Sequence, residues 1–238
     1  MLSLKARLLG GWIGDRVLRD ATVSEVEDLG TSYRRISLVG ASLREAACEP
    51  GDKVQIFLPE VGARTYTPFA FDREVGRIDL LVYLHGTGPG AKWARSLAPS
   101  TVVRLIGPRS SLPLPQMDEP VALFGDETSL AVARSLFDIR AAGRHVVVRL
   151  EVDSRAEAQR ACEAIGLPPE IIVERTPDAS HLDAIARELA GAVNEGGSLA
   201  LSGNAHSIQL LRRHLRDLGV VPRQKVKAYW AEGKRGLD

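Results

Sequence analysis

The order in which two kinds of segment occur limits what this chain can fold into more than any single motif does. From residue 121 onward, short apolar runs alternate with amphipathic ones. "VALFGD" (121–126) precedes "ETSLAVARSLFDIRAAG" (127–143), and "HVVVRLEVD" (145–153) precedes "SRAEAQRACEAIG" (154–166). "EIIVERT" (170–176) precedes "HLDAIARELAGAV" (181–193), and "SLALSGN" (198–204) precedes "AHSIQLLRRHLRDLG" (205–219). "KVKAYW" (225–230) closes the run. Apolar strands separated by amphipathic helices predict a parallel sheet covered on both faces.

The first half has another rhythm. Six short strand-like runs, 19–27, 33–40, 53–59, 63–69, 77–86 and 101–108, are joined by turn residues such as "EPGD" (49–52) and "REVG" (73–76). Six such strands suit a small antiparallel β-barrel. One helix interrupts them at 88–99, with Trp93, Ala94 and Leu97 on its apolar face. The rhythm changes around "SSLPLPQMDE" (110–119). This divides the chain into a barrel domain, residues 1–115, and an α/β parallel-sheet domain, residues 116–238.

Composition excludes several classes. A net charge of +1 over 238 residues argues against a nucleic-acid binder. Two distant cysteines, Cys48 and Cys162, cannot hold an iron–sulfur cluster or a disulfide framework, so a reducing compartment is expected. The opening "MLSLKARLLGGWIGDRV" makes a poor signal peptide, because charge and glycine break its apolar runs. No later run has the length for membrane insertion, and a cytoplasmic location is expected.

The chemistry-bearing residues gather in a few places. In "RTYT" (64–67), strand alternation puts Arg64 and Tyr66 on one face and Thr67 on the other, with Pro68 following at once. "LHGTGPGAKWA" (84–94) carries His85 and then three glycines into a helix, a turn able to present amides to a phosphate. "FGDETS" (124–129) and "LSGNAHS" (201–207) each run from strand through glycine into helix. There Asp126, Thr128 and Ser207 are either helix caps or groups facing a ligand beyond the strand ends. A flat redox ring needs a stacking partner, a donor near its reactive nitrogen and a cationic clamp for its pyrophosphate. Tyr66, Thr67 and Arg64 supply these three, and the turn at 86–90 supplies a second clamp, which is a flavin site by chemistry.

With these motifs in view, the chain resembles the siderophore-interacting protein family, a branch of the ferredoxin-reductase-like flavoproteins. "RTYT" resembles the flavin-binding R-x-Y-T motif, and "HGTGPGAKWA" (85–94) the segment H-G-x-x-G-P-x-x-x-W-A. "GPR" (107–109) resembles the barrel-closing turn, "GDETSL" (125–130) the motif G-D-E-T-A-L, and "YWAEG" (229–233) the terminal Y-W-x-x-G. The resemblance implies an FAD-dependent enzyme that reduces ferric siderophores in the cytoplasm, with NADPH, NADH or ferredoxin as electron donor. It implies that Arg64 binds flavin phosphate, Tyr66 packs on the isoalloxazine and Thr67 bonds near N5, with Pro68 and Phe69 alongside. His85, Gly86, Thr87, Gly88, Gly90, Ala91 and Trp93 would line the pyrophosphate and adenosine side. Asp126, Glu127, Thr128, Ser129, Gly203, Asn204, Tyr229 and Trp230 would form the nicotinamide cleft. Lys53, Arg34 and Arg35 are candidates for a basic rim that attracts an anionic siderophore.

Three positions depart from the family pattern. Phe69 stands where a second arginine is usual, Ala131 replaces a proline, and Asn204 replaces an acidic residue. The last two bear on the nucleotide side. They keep open two other readings, a non-catalytic flavin or siderophore-binding module and a general NAD(P)H-dependent flavin oxidoreductase with a non-iron acceptor. For an NADPH 2′-phosphate, the candidate ligands are Arg155 and Arg160.

Overall fold

A computed structural model describes residues 18–58, 62–141, 143, 145–194 and 196–233. The opening segment weighed as a signal peptide lies outside them. Seven strands form the first sheet: β1 (Leu18–Leu29), β2 (Tyr33–Val39), β3 (Lys53–Leu58), β4 (Gly62–Tyr66), β5 (Pro68–Asp72), β6 (Arg77–Tyr83) and β7 (Val102–Arg109). All neighbouring strands pair antiparallel, in the order β4-β3-β7-β1-β2-β6-β5.

The two edges of this sheet are consecutive in sequence. β4 pairs with β3, β5 pairs with β6, and only Thr67 lies between them. The single run expected at 63–69 is therefore one strand broken at Thr67, each half joining a different neighbour. Counted as one, it gives the six strands expected, but β4 and β5 do not pair with each other, so the expected barrel is not closed by hydrogen bonds. Strand β3 buries every second residue, as a one-sided strand should. Ile36, Leu38, Val54, Ile56, Leu80 and Leu105 fill the interior, each burial stabilising by about 1.5–3 kcal/mol. Helix α1 (Pro89–Ser96) follows the glycine-rich turn after β6 and packs Ala94 into that interior.

The second sheet is parallel, with β8 (Val121–Gly125), β9 (Val146–Val152), β10 (Ile172–Glu174), β11 (Ser198–Asn204) and β12 (Arg223–Trp230) in the order β10-β9-β8-β11-β12. Its helices are α2 (Leu130–Ala141), α3 (Arg155–Ala164), α4 (His181–Val193) and α5 (Ala205–Asp217). Strand β8 is buried along its whole length, which is why "VALFG" is an unbroken apolar run rather than an alternating one. α4 and α5 cover one face of the sheet with Leu182, Leu189, Leu211 and Leu215. The cluster on the other face takes in Leu29 and Tyr33 from the ring, with Phe69, Tyr83 and Tyr229 packed against it. The two sheets thus share an apolar joint. No helix among the described residues is long and apolar enough to cross a membrane.

Candidate functional site

Arg64 and Tyr66 lie on β4 two residues apart, so both side chains leave the same face. They meet the start of α1 there. A Cβ built on Gly90 would sit 3.1 Å from the Tyr66 hydroxyl and 3.8 Å from Arg64 Cγ. Tyr66 stacks on Trp93 of α1, ring centroids 5.7 Å apart and planes at 29°. Burial pushes the Tyr66 phenol well above its usual range, opposed in part by the neighbouring Arg64.

Around the turn, Gly86 is at φ +56°, and a Cβ on Gly86 or Gly88 would meet nothing within 4 Å. Gly88 is the N-cap of α1 and offers no side-chain acceptor, while Pro89 occupies the first turn. The remaining free amides face outward with the positive end of the helix dipole. Arg95 braces the turn by donating to the carbonyls of Gly86 (3.0 Å) and Leu84 (2.7 Å).

An open glycine turn and an uncapped helix start make an anion cradle, and Arg64, whose Nη1 donates to the Ala63 carbonyl at 2.7 Å, stands on the strand beside it. A flat phenol and indole stand next to it. These residues could hold FAD, Arg64 and the α1 start meeting an anionic group and Tyr66 a flat ring. Ala91 is buried in the fold, so its backbone alone can serve a ligand, and Thr87 is exposed on the turn.

His85 does not join this cradle. It lies exposed in an aromatic series: Tyr33 against Tyr83 at 5.2 Å, Tyr83 against His85 at 5.6 Å and His85 against Trp230 at 6.2 Å. Trp230 in turn donates its indole N–H to Asp126 Oδ2 at 2.7 Å. Its neighbour Tyr229 reaches the Thr67 hydroxyl, and burial raises its phenol to about 12. The last strand thus ties the break in the barrel to the first strand end of the parallel sheet.

On the parallel sheet the residues expected in the nicotinamide cleft are mostly engaged with one another. Asp126 is fully buried and accepts from the Thr128 amide at 2.8 Å and the Thr128 hydroxyl. Burial raises its carboxyl to about 6, against the lowering effect of the Thr128 bonds. Gly203, at φ +93°, lies so close that an added Cβ would be 2.4 Å from the Asp126 carboxyl carbon. Glu127, 4% exposed, accepts from the Arg175 guanidinium at 2.6 and 2.8 Å and from the Asp153 amide at 2.6 Å. The Ser202 hydroxyl donates to Ser129 at 2.8 Å. Asn204 caps α5 by accepting from the amides of His206 (2.7 Å) and Ser207 (3.3 Å), the cap role weighed above for Ser207. Phe69 and Ala131 are packing residues, Phe69 against the joint and Ala131 buried in α2.

The structure does not gather Lys53, Arg34 and Arg35 into one rim. Lys53 begins β3, which two strands, β7 and β1, separate from β2. Arg34 donates to the carbonyls of Ala94 (2.7 Å) and Arg95 (2.8 Å), closing the end of α1, and pairs with Asp28 at 3.2 Å. Arg35 leaves the other face of the strand and pairs with Glu25 and Glu27 of β1. Cross-strand carboxylates, invisible in the local run "YRRIS", decide where these charges go.

Two groups were not singled out in the sequence. Arg175 holds Glu127, Asp153 (2.5 Å) and Glu151 (3.4 Å) together. Glu157 accepts from the Thr31 amide (2.7 Å), the Thr31 hydroxyl (3.0 Å) and the Ser32 amide (2.9 Å), linking α3 to the β1–β2 turn of the barrel. "SRAE" (154–157) has the spacing of a capping box, and Ser154 does cap α3. The glutamate of that box reaches across to the barrel instead, and these bonds hold its carboxyl below the usual range.

An antiparallel sheet whose two edges meet at Thr67, with a parallel sheet tied to it, is the fold of the ferredoxin-reductase-like proteins, and its first domain is of an FAD-binding kind. More particularly, the chain belongs to the siderophore-interacting protein family: residues 59–112 match the model of the siderophore-interacting FAD-binding domain and residues 119–233 that of the siderophore-interacting protein. Among solved structures it is similar to the siderophore-interacting protein SipS from Aeromonas hydrophila, at 23% identity and TM-score 0.73, covering 92% of this chain and 93% of that one. A siderophore utilization protein from T. fusca is similar at 22% identity and TM-score 0.70, covering 93% and 95%. Phthalate dioxygenase reductase shares the fold at 13% identity and TM-score 0.70, covering 91% of this chain and 70% of that one. No curated protein sequence matches the chain.

Proposed function

We propose that this protein is an FAD-dependent ferric-siderophore reductase of the cytoplasm, passing electrons from NAD(P)H to chelated Fe(III). In this reading residues 1–115 hold the flavin and residues 116–238 receive the donor. The observation that carries it is the convergence of Arg64, Tyr66 and the uncapped start of α1 at Gly90, in a chain that both family models match.

Hard oxygen donors hold Fe(III) far more tightly than Fe(II), so release calls for one electron, whereas a nicotinamide delivers two. Bound FAD supplies the conversion between the two. The protein's own task is positional. Arg64 and the α1 amides neutralise the diphosphate, Tyr66 packed on Trp93 gives a flat rigid wall, and Thr67 presents a hydroxyl at the break in the barrel. Tyr229 orients that hydroxyl, and Trp230, held by Asp126, covers the side toward the parallel sheet.

The test is an anaerobic absorbance titration with NADPH, then NADH, followed by a ferric siderophore. Bleaching by a nucleotide and return of the flavin band on adding the ferric complex are expected. A band that no nucleotide bleaches, but reduced ferredoxin does, moves the donor to ferredoxin. A bleached band that the ferric complex leaves unchanged removes iron as the acceptor.

A further inference from the structure

We propose that the parallel sheet selects NADH over NADPH, with Asp153 as the acceptor for the adenosine ribose hydroxyls; this rests on the reading that a nicotinamide nucleotide is the donor. In the order β10-β9-β8-β11-β12, successive strands depart from β8 in opposite directions, so the ligand crevice of the sheet opens beyond the ends of β8 and β11. In sheets of this kind an acidic residue at the end of the strand next to the first one takes the ribose 2′-hydroxyl. Here that strand is β9, ending at Val152, and the next residue is Asp153. Its side chain is 70% exposed, and Arg175 engages only Oδ1, at 2.5 Å. The other oxygen remains to accept from a sugar hydroxyl.

The surroundings work against a 2′-phosphate. Arg175 is enclosed by Glu127, Glu151 and Asp153, three carboxylates about one guanidinium. His181 is engaged here too, its Nδ1 accepting from the Thr176 amide at 3.2 Å and its Nε2 lying 2.9 Å from Glu151 Oε2. Three carboxylates thus face two guanidiniums in this corner, Arg175 and the nearby Arg155. The two arginines that follow β9 are also committed. Arg155 donates to the Ile172 carbonyl at 2.9 Å, and Arg160 pairs with Glu157. A phosphate dianion placed here would meet repulsion, whereas ribose hydroxyls would find an acceptor. Selection comes from rejection of the competitor as well as attraction of the ligand.

The experiment measures binding directly, by calorimetric titration of the flavin-loaded protein with ADP and with 2′,5′-ADP, beside NADH and NADPH. ADP and NADH should bind at least about thirtyfold more tightly than their 2′-phosphorylated counterparts. Asp153→Asn should weaken NADH about tenfold and leave NADPH within about twofold, narrowing the ratio. Asp153→Ser should do the same without an amide in place of the carboxylate, and thermal melts report whether either variant is folded. Tighter binding of 2′,5′-ADP, or equal losses for both nucleotides in the variants, overturns the selectivity while leaving the nucleotide reading intact. If neither dinucleotide binds and neither bleaches the flavin, the donor reading fails and the selectivity falls with it.

Discussion

The turn after β6 and the turns after β8 and β11 use the same local device, a glycine at a strand end leading into a helix, and they use it in opposite ways. After β6, the glycines leave space: nothing lies within 4 Å of a Cβ on Gly86 or Gly88. After β8 and β11, they allow contact: a Cβ on Gly125 would be 2.4 Å from Ser129 Cβ, and one on Gly203 would strike Asp126. A glycine in a motif therefore indicates either room for a ligand or lack of room for a side chain, and only the packing tells which.

The strongest test of that contrast is Gly203→Ala. It places a Cβ at φ +93° against a buried carboxyl, and about 2–5 kcal/mol of stability should be lost, read as a large fall in the urea midpoint. An unchanged midpoint would mean that this glycine is not required by contact. Arg64→Ala comes next: flavin affinity should fall by about 1.5–3 kcal/mol, the worth of a hydrogen bond to a charged group, with little change in the melting of the flavin-free protein. Equal losses in both would make Arg64 a packing residue.

A pH experiment probes the parallel sheet. The folded Asp126 carboxyl titrates at about 6, raised from 3.8 by burial. The native state thus holds a proton between about pH 4 and 6 that the unfolded chain has released. The contribution of this group to stability is full below that window, falls as pH rises through it, and is flat above. Asp126→Asn should remove that decline from the pH profile of urea unfolding, whatever its effect on the absolute level; an unaltered slope would assign the titration elsewhere. The smallest stability effect belongs to Gly88→Ala, within about 1 kcal/mol of wild type. Flavin absorbance should report its effect instead, since the methyl group enters the cradle.

Much of the fold was legible because strand and helix periods are local. The bounds of α4 and β11 coincide with the runs "HLDAIARELAGAV" and "SLALSGN". The break at Thr67 was not legible, because "ARTYTPF" reads as one strand and only pairing with distant strands, β3 for one half and β6 for the other, divides it. At the site, the alternation of Arg64 and Tyr66 placed both on one face. The fates of Arg34, Glu127 and Glu157 depended on partners 60, 48 and 126 residues away. A sequence shows that a charge must be satisfied, but not by what.

The meeting of both sheet edges at Thr67 has a consequence for how the molecule meets others of its kind. A sheet normally ends in two borders, each a template on which another strand can dock and from which fibres can grow. Here both borders are halves of one eleven-residue stretch, Gly62–Asp72, joined at a single residue. An incoming strand would find at either border only five residues before the chain turns into the other. The break at Thr67 thereby denies the sheet a long open border, which is protection against edge-to-edge assembly.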